Sequence, residues 1–142
     1  MRQVLVPIAA DEEGRTRSAV AEVVRMYRRE AIEIRLVRVQ PRLNGHVAMF
    51  FGTRELQQLQ QQSGAEDLAF AQSLLEAAGV PYTSTVLVGR SAETIAQAAR
   101  DFKCDRIVFG SEPGSLAGKV FGSLAQQVRH LLGPGDAQVI GS

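Results

Sequence analysis

Tryptophan is absent from this 142-residue chain, cysteine occurs once, and aromatic residues make up 6% of the total. A single cysteine can form no internal disulfide, so the fold must hold by packing, as suits a reducing compartment. Charge of one sign is also lacking. Sixteen Lys and Arg balance fifteen Asp and Glu, a net +1, which argues against electrostatic capture of nucleic acid or of a membrane surface. Long apolar runs are missing too: Val4–Ala10 is among the longest, far too short to span a bilayer. No basic segment leads into an apolar one at the start, so no signal peptide is expected and the cytoplasm is the default. What remains is the composition of an ordinary globular chain, 45% hydrophobic and 22% charged, of a length that fits one domain over residues 1–142.

Short apolar runs alternate with helical periodicity along the whole length. Val4–Ala10 reads as a central strand, with Pro7 near its end because proline gives the ladder no donor. Asp11-Glu-Glu-Gly14 makes the turn, Thr16 or Ser18 the N-cap, and a helix runs to about Arg29 with Val20, Val23, Val24 and Tyr27 on one face. Ile32–Val39 is the second strand, in which Arg38 breaks the alternation without an evident reason. Residues 41–53 are irregular around Asn44-Gly45.

A helix from about Arg54 to Ala78 follows, with Leu56, Leu59, Leu68, Leu75 and Ala78 inward. Gly64 is expected to weaken its middle, and its glutamines form a solvated face. Gly79 ends it and Pro81 forbids continuation. Thr83–Val88 is the third strand. Ser91 then caps a helix with Ala92, Ile95, Ala96, Ala99 and Phe102 inward.

Arg106–Phe109 is the fourth strand, ending at Gly110. A stretch with four glycines (Gly110, Gly114, Gly118, Gly122) leads to a helix opened by Ser123 and built on Leu124, Val128 and Leu131. Gly133-Pro134-Gly135 stops it, and Ala137–Ile140 is the fifth strand. Alternating strands and helices imply an α/β fold: an open, doubly wound parallel sheet of five strands with helices on both faces.

A strand feeding a glycine-rich loop that ends at a helix N-terminus presents backbone N–H groups to phosphate. In such sheets the ligand crevice lies at the carboxyl ends of the strands, where the order reverses. With order 3-2-1-4-5 the crevice falls between strands 1 and 4. Ala9, Ala10 and Asp11 then face Gly110, and Val39 and Gln40 line one wall.

Other constellations have plainer readings. Gly114-Ser-Leu-Ala-Gly-Lys-Val120 is one residue short of a Walker A loop and has Val120 where a hydroxyl must hold Mg²⁺. Asp11, Glu12 and Glu13, at the mouth of the crevice, are read as solvated carboxylates and not as a metal site, and Cys104 as a structural thiol at the amino end of the sheet. His46 and His130 are isolated in sequence and form no zinc set with one cysteine. Arg25, Arg28 and Arg29 suit a helix C-terminus. No nucleophile elbow or identifiable base is present, so the expectation is binding rather than turnover.

In order and spacing the chain resembles the universal stress proteins. The resemblance rests on Val4-Leu-Val-Pro7, Val37-Arg-Val-Gln-Pro41, Leu74-Leu-Glu-Ala-Ala-Gly-Val-Pro81, Val88-Gly-Arg-Ser-Ala-Glu-Thr-Ile95, Cys104-Asp-Arg-Ile-Val-Phe-Gly110 and Gly122-Ser-Leu-Ala125. It implies strand order 3-2-1-4-5, a cytoplasmic stress-response role, and a homodimer through the last strand (Ala137, Gln138, Val139 and Ile140). It also implies, in the nucleotide-binding branch, a Gly-x2-Gly-x9-Gly-Ser/Thr loop after strand 4 and an aspartate after strand 1. On that pattern the cofactor site would be Ala9, Ala10, Asp11, Val39, Gly110, Gly114, Gly122 and Ser123, and the cofactor ATP.

This chain departs from the pattern twice. Pro113 stands where the second glycine belongs, with Gly110 and Gly122 twelve positions apart instead of thirteen. Ala9 replaces the aspartate, with Asp11 a possible substitute. The expectation is therefore a degraded ATP site, with an anion niche kept at Gly122-Ser123. A functioning adenine-nucleotide binder is one alternative. A regulatory domain whose protein partner reads the sheet edge or residues 41–53 is another.

Overall fold

A computed structural model describes residues 2–42, 52–111 and 116–141, by backbone alone at 53 and 116–123. Five strands form one parallel sheet. They are β1 (Arg2–Pro7), β2 (Ile32–Gln40), β3 (Thr83–Val88), β4 (Arg106–Val108) and β5 (Gln138–Ile140), in the order β3-β2-β1-β4-β5. Four helices connect them: α1 (Glu13–Arg29), α2 (Thr53–Ala77), α3 (Ser91–Asp101) and α4 (Leu116–Leu131). No helix among the described residues is long and apolar enough to cross a membrane.

Side chains alternate across the sheet, so each strand feeds two cores. Val4, Val6, Ile34 and Leu36 pack with Val20 and Val23 of α1 and with Leu68 and Leu75 of α2. Leu5, Val37, Val39 and Ile107 pack on the other face with Ile95 and Ala99 of α3 and Val128 of α4. β1 is buried on both faces because it is the central strand, paired with β2 (Val4↔Ile34) and β4 (Val4↔Arg106).

Pro7 is its last residue, as expected. Ile8 donates to the Val37 carbonyl at 2.8 Å, so the missing N–H of Pro7 falls on the β4 side, where pairing already stops at Leu5↔Ile107.

Arg38, the break in the alternation of β2, turns toward α2. Its Nε donates to Asp67 Oδ2 at 2.9 Å and one terminal nitrogen donates to the Val39 carbonyl. The end of α2 is a Schellman motif: Val80 N–H bonds to the Leu75 carbonyl, Gly79 N–H to that of Glu76, and Gly79 adopts φ +70°.

Several expectations change. α1 begins at Glu13, with Glu12 as N-cap, and neither Thr16 nor Ser18 caps it. Ser91 is the first helical residue of α3 rather than its cap, a place held by Arg90. Leu59 and Ala78 are exposed rather than inward. Gly64 is not a weak point but a close contact, since a Cβ there would lie 2.5 Å from Val86 Cγ1.

The glutamines are more than a solvated face. Gln60 donates to the Pro41 carbonyl and Gln61 to the Val86 carbonyl (3.3 Å), while Gln72 donates to Ser84 Oγ. Gly89 N–H bonds to Gln40 of β2. Residues 85, 87 and 89 therefore turn their amides inward, and the Val86 carbonyl that Gln61 meets lies on the outer edge of β3. The possible partner-binding loop at 41–53 lies, over residues 43–51, outside the described residues.

Candidate functional site

The expected crevice is present where β1, β2 and β4 end. A cavity of about 200 Å³ opens there, lined among the described residues by Pro7, Ile8, Ala9, Glu12, Val37, Arg38, Val39, Ser91, Ile95 and Leu124. Strand register brings Ala9 and Val39 together: Pro7, the last residue of β1, pairs with Val37, so Ala9 continues past the end of its strand alongside Val39, which is still in β2 and paired with Leu87.

Of the sequence-predicted residues, Ala9 and Val39 line this cavity. Ala10 is half-buried in the turn, and Asp11 is exposed with φ +57°. Asp11 therefore does not replace the aspartate expected at position 9; the carboxylate that reaches the cavity wall is that of Glu12.

Gly110 is buried against the first turn of α1. A Cβ on it would sit 1.9 Å from the Arg15 carbonyl oxygen, so the first turn of α1 lies directly on the exit of β4. Arg15 then folds over that exit: one terminal nitrogen donates to the Gly110 carbonyl at 3.0 Å, and its Nε lies 3.2 Å from Glu12 Oε2. Its side chain is 2% exposed. Ser18 Oγ accepts the Ser111 N–H at 3.2 Å, a second stitch between α1 and the same loop.

Gly114 and Pro113 lie outside the described residues. Gly122 and Ser123 differ from expectation, because α4 begins at Leu116 and places both inside the helix. An amide seven residues into a helix is engaged by the carbonyl four positions back, and free N–H groups belong to the first turn only. Both amides therefore lie within the run of α4 and not in its first turn.

The amino end of the sheet holds groups whose titration is shifted. Arg106 donates two hydrogen bonds to Glu30 and holds its carboxyl below the ordinary range. Burial pushes the Cys104 thiol up to about 11, as befits a structural residue away from the crevice. Among the described residues no cluster of His, Cys, Asp or Glu could hold a metal.

Sequence reasoning missed Arg15, Ser91 and Leu124, and placed Glu12 at the mouth of the crevice only as a solvated carboxylate. The signal for Arg15 was available: it stands four residues before Ala19 and eight before Val23, on the buried stripe of α1.

A family model described as the universal stress protein family matches residues 1–132. This chain belongs to that family. Among solved structures, a hypothetical protein whose biochemical function was assigned from its structure has a TM-score of 0.72 at 22% identity, covering 98% of this chain and 93% of that one. A universal stress protein from Archaeoglobus fulgidus, solved in complex with dAMP, has a TM-score of 0.69 at 18% identity, covering 99% and 96%. An Arabidopsis thaliana family member, solved with AMP bound, has a TM-score of 0.60 at 17% identity, covering 100% and 94%. The comparison with curated proteins found no match. The strand order and the two-faced helix arrangement are those of a universal stress protein domain.

Proposed function

We propose that this universal stress protein is a cytoplasmic, dimeric binding module whose triphosphate cradle is degraded. The observation that carries the reading is the position of Gly122 and Ser123. In the nucleotide-binding pattern they open a helix and offer free amides. Here α4 starts at Leu116, so those amides lie in the helix ladder. The loop is one residue short and carries Pro113, which has no N–H to give.

The expected result in a thermal shift experiment is no stabilisation by millimolar ATP with Mg²⁺. A functioning site would add about 2.7 kcal/mol at a hundredfold excess over its dissociation constant, and a shift of that size overturns the reading. The same titration on a chain with Pro113→Gly, one residue inserted in the loop, and Ala9→Asp is expected to gain binding.

The dimer reading is supported by the free edge of β5. Gln138 N–H bonds to the Asp105 carbonyl, and the Ile140 carbonyl accepts from Phe109 N–H. Residues 138 and 140 thus face β4, and the N–H and C=O of Val139 point outward. A two-fold copy laid antiparallel would pair Val139 with its own counterpart and satisfy both groups. Val139→Pro removes the outward donor without touching the β4 ladder, a change edge strands tolerate. Light scattering is expected to show a dimer for the parent chain and a folded monomer for the variant. An unchanged dimer would place the interface elsewhere.

A further inference from the structure

We propose that the gap between the amino ends of β2 and β3 binds an uncharged peptide unit with an aromatic or branched apolar side chain. It lies at the end of the sheet opposite the crevice, so neither reading depends on the other.

The gap follows from register. β2 meets β1 from Ile32 onward (Arg2↔Ile32), whereas its ladder to β3 begins three positions later, at Arg35↔Thr83. Gly89 N–H bonds to the Gln40 carbonyl, so the even-numbered residues of β2 direct their N–H and C=O groups toward β3. One further step of that ladder would need a residue 81 that donates to the Ile32 carbonyl and accepts from Ile34 N–H. Residue 81 is proline and has no N–H. Neither bond is formed, and none joins the backbone of Ile32 or Ile34 to Tyr82. Both isoleucines are 2% exposed. A buried backbone acceptor and donor left in that condition are costly unless something meets them.

A cavity of about 340 Å³ lies at this place, near the small end of the range for organic ligands, roughly 300–1,000 Å³. Tyr27 and Tyr82, both partly buried against the core, form its walls with Ile32, Ile34 and Pro81. The Tyr82 hydroxyl donates to Glu76 Oε1 at 2.6 Å, which fixes that ring. The two charged residues of the lining are committed elsewhere. Glu33 accepts from Gln3, while Arg35 stacks on Phe102 and donates to Thr85 Oγ1.

The cavity therefore offers one backbone acceptor, one backbone donor and an apolar surround. In an extended peptide a single residue carries its N–H and C=O on the same edge, at the spacing of the two unmet groups. Two tyrosines suit an aromatic or branched side chain. The charges of a free amino acid would be desolvated against these walls without a partner, so the unit that fits is blocked at both ends.

The probe is N-acetylphenylalaninamide, titrated into the full chain and followed by amide resonances and hydrogen exchange. With the probe bound, the Ile34 amide gains an acceptor. Its resonance is expected to move downfield and its exchange to slow at least fivefold. The analogue methylated on the phenylalanine nitrogen cannot donate to the Ile32 carbonyl. It is expected to bind about fivefold more weakly, the worth of one neutral hydrogen bond.

Pro81→Ala, at an exposed position, supplies the missing donor and lets the ladder close, and is expected to weaken the probe by a similar factor. An Ile34 amide unmoved by millimolar probe would mean that the cavity holds water only, and overturns the proposal. Equal affinity for the methylated analogue overturns it as well, and that comparison needs no variant. Equal affinity of parent and Pro81→Ala would show that the missing donor does not make the site.

Discussion

Gly110→Ala is expected to destabilise the protein by about 3 kcal/mol, at the upper end of what overpacking usually costs. The added methyl would lie 1.9 Å from the Arg15 carbonyl oxygen and 2.7 Å from its carbon. Both atoms belong to the backbone of a helix that is buried along its inner face, so no rotamer change relieves the clash. α1 must move off β4, and the Arg15 bond to the Gly110 carbonyl goes with it. In urea this should appear as a lowered midpoint with an unchanged slope, and on heating as a fall of about 10 °C for a domain of this size. The effect is expected with no ligand present. A loss below about 0.5 kcal/mol, the usual range for a neutral surface change, would show that this glycine is not needed for the helix contact. A phosphate-approach reading would then regain ground.

The second large effect is at Gly64. Glycine in a helix interior costs about 1 kcal/mol against alanine, so Gly64→Ala would stabilise α2 if the helix stood alone. In the folded chain the new methyl would lie 2.5 and 2.8 Å from the two γ-carbons of Val86 and 3.2 Å from its β-carbon. A branched side chain approached on both branches cannot swing clear. The net expectation is a loss of about 2 kcal/mol.

The pairing makes a sharper test than the single variant. In a Val86→Ala background the two γ-carbons are gone and only the 3.2 Å approach to the β-carbon remains, so adding Gly64→Ala should cost far less than in the parent, with helix propensity offsetting up to about 1 kcal/mol. A cost that is the same in both backgrounds would mean that α2 and β3 do not meet at this point.

These two glycines show where sequence was legible and where it was not. Apolar runs report burial, so all five strands, their order through the family resemblance, and β3 at Thr83–Val88 could be read directly. Punctuation was legible for a similar reason: Gly79 and Pro81 mark the end of α2 because only certain backbones accept them. Contacts between elements distant in sequence leave no such trace. Gly64 looks like a propensity defect until Val86 is set against it. Arg38 looks like a lapse in alternation until Asp67 is seen to receive it.

Glu12, at the mouth of the crevice, looked like one of three solvated carboxylates, whereas its Oε2 is buried. The start of α4 was misjudged because glycine-rich sequence was taken for loop. Gly118 and Gly122 lie inside the helix, where the propensity penalty of about 1 kcal/mol each is small beside tertiary packing.

The clasp of Gln61 on the Val86 carbonyl bears on how large an assembly can become. A parallel sheet has two margins, and when both invite pairing, copies can join head to tail into a fibre. Here one margin has an outward carbonyl occupied by its own helix, while the other offers three short residues. Association through the open margin alone is self-limiting, because a two-fold contact consumes the surface that made it. On the proposed β5 contact, Gln61 makes the opposite margin a poorer template for a further copy.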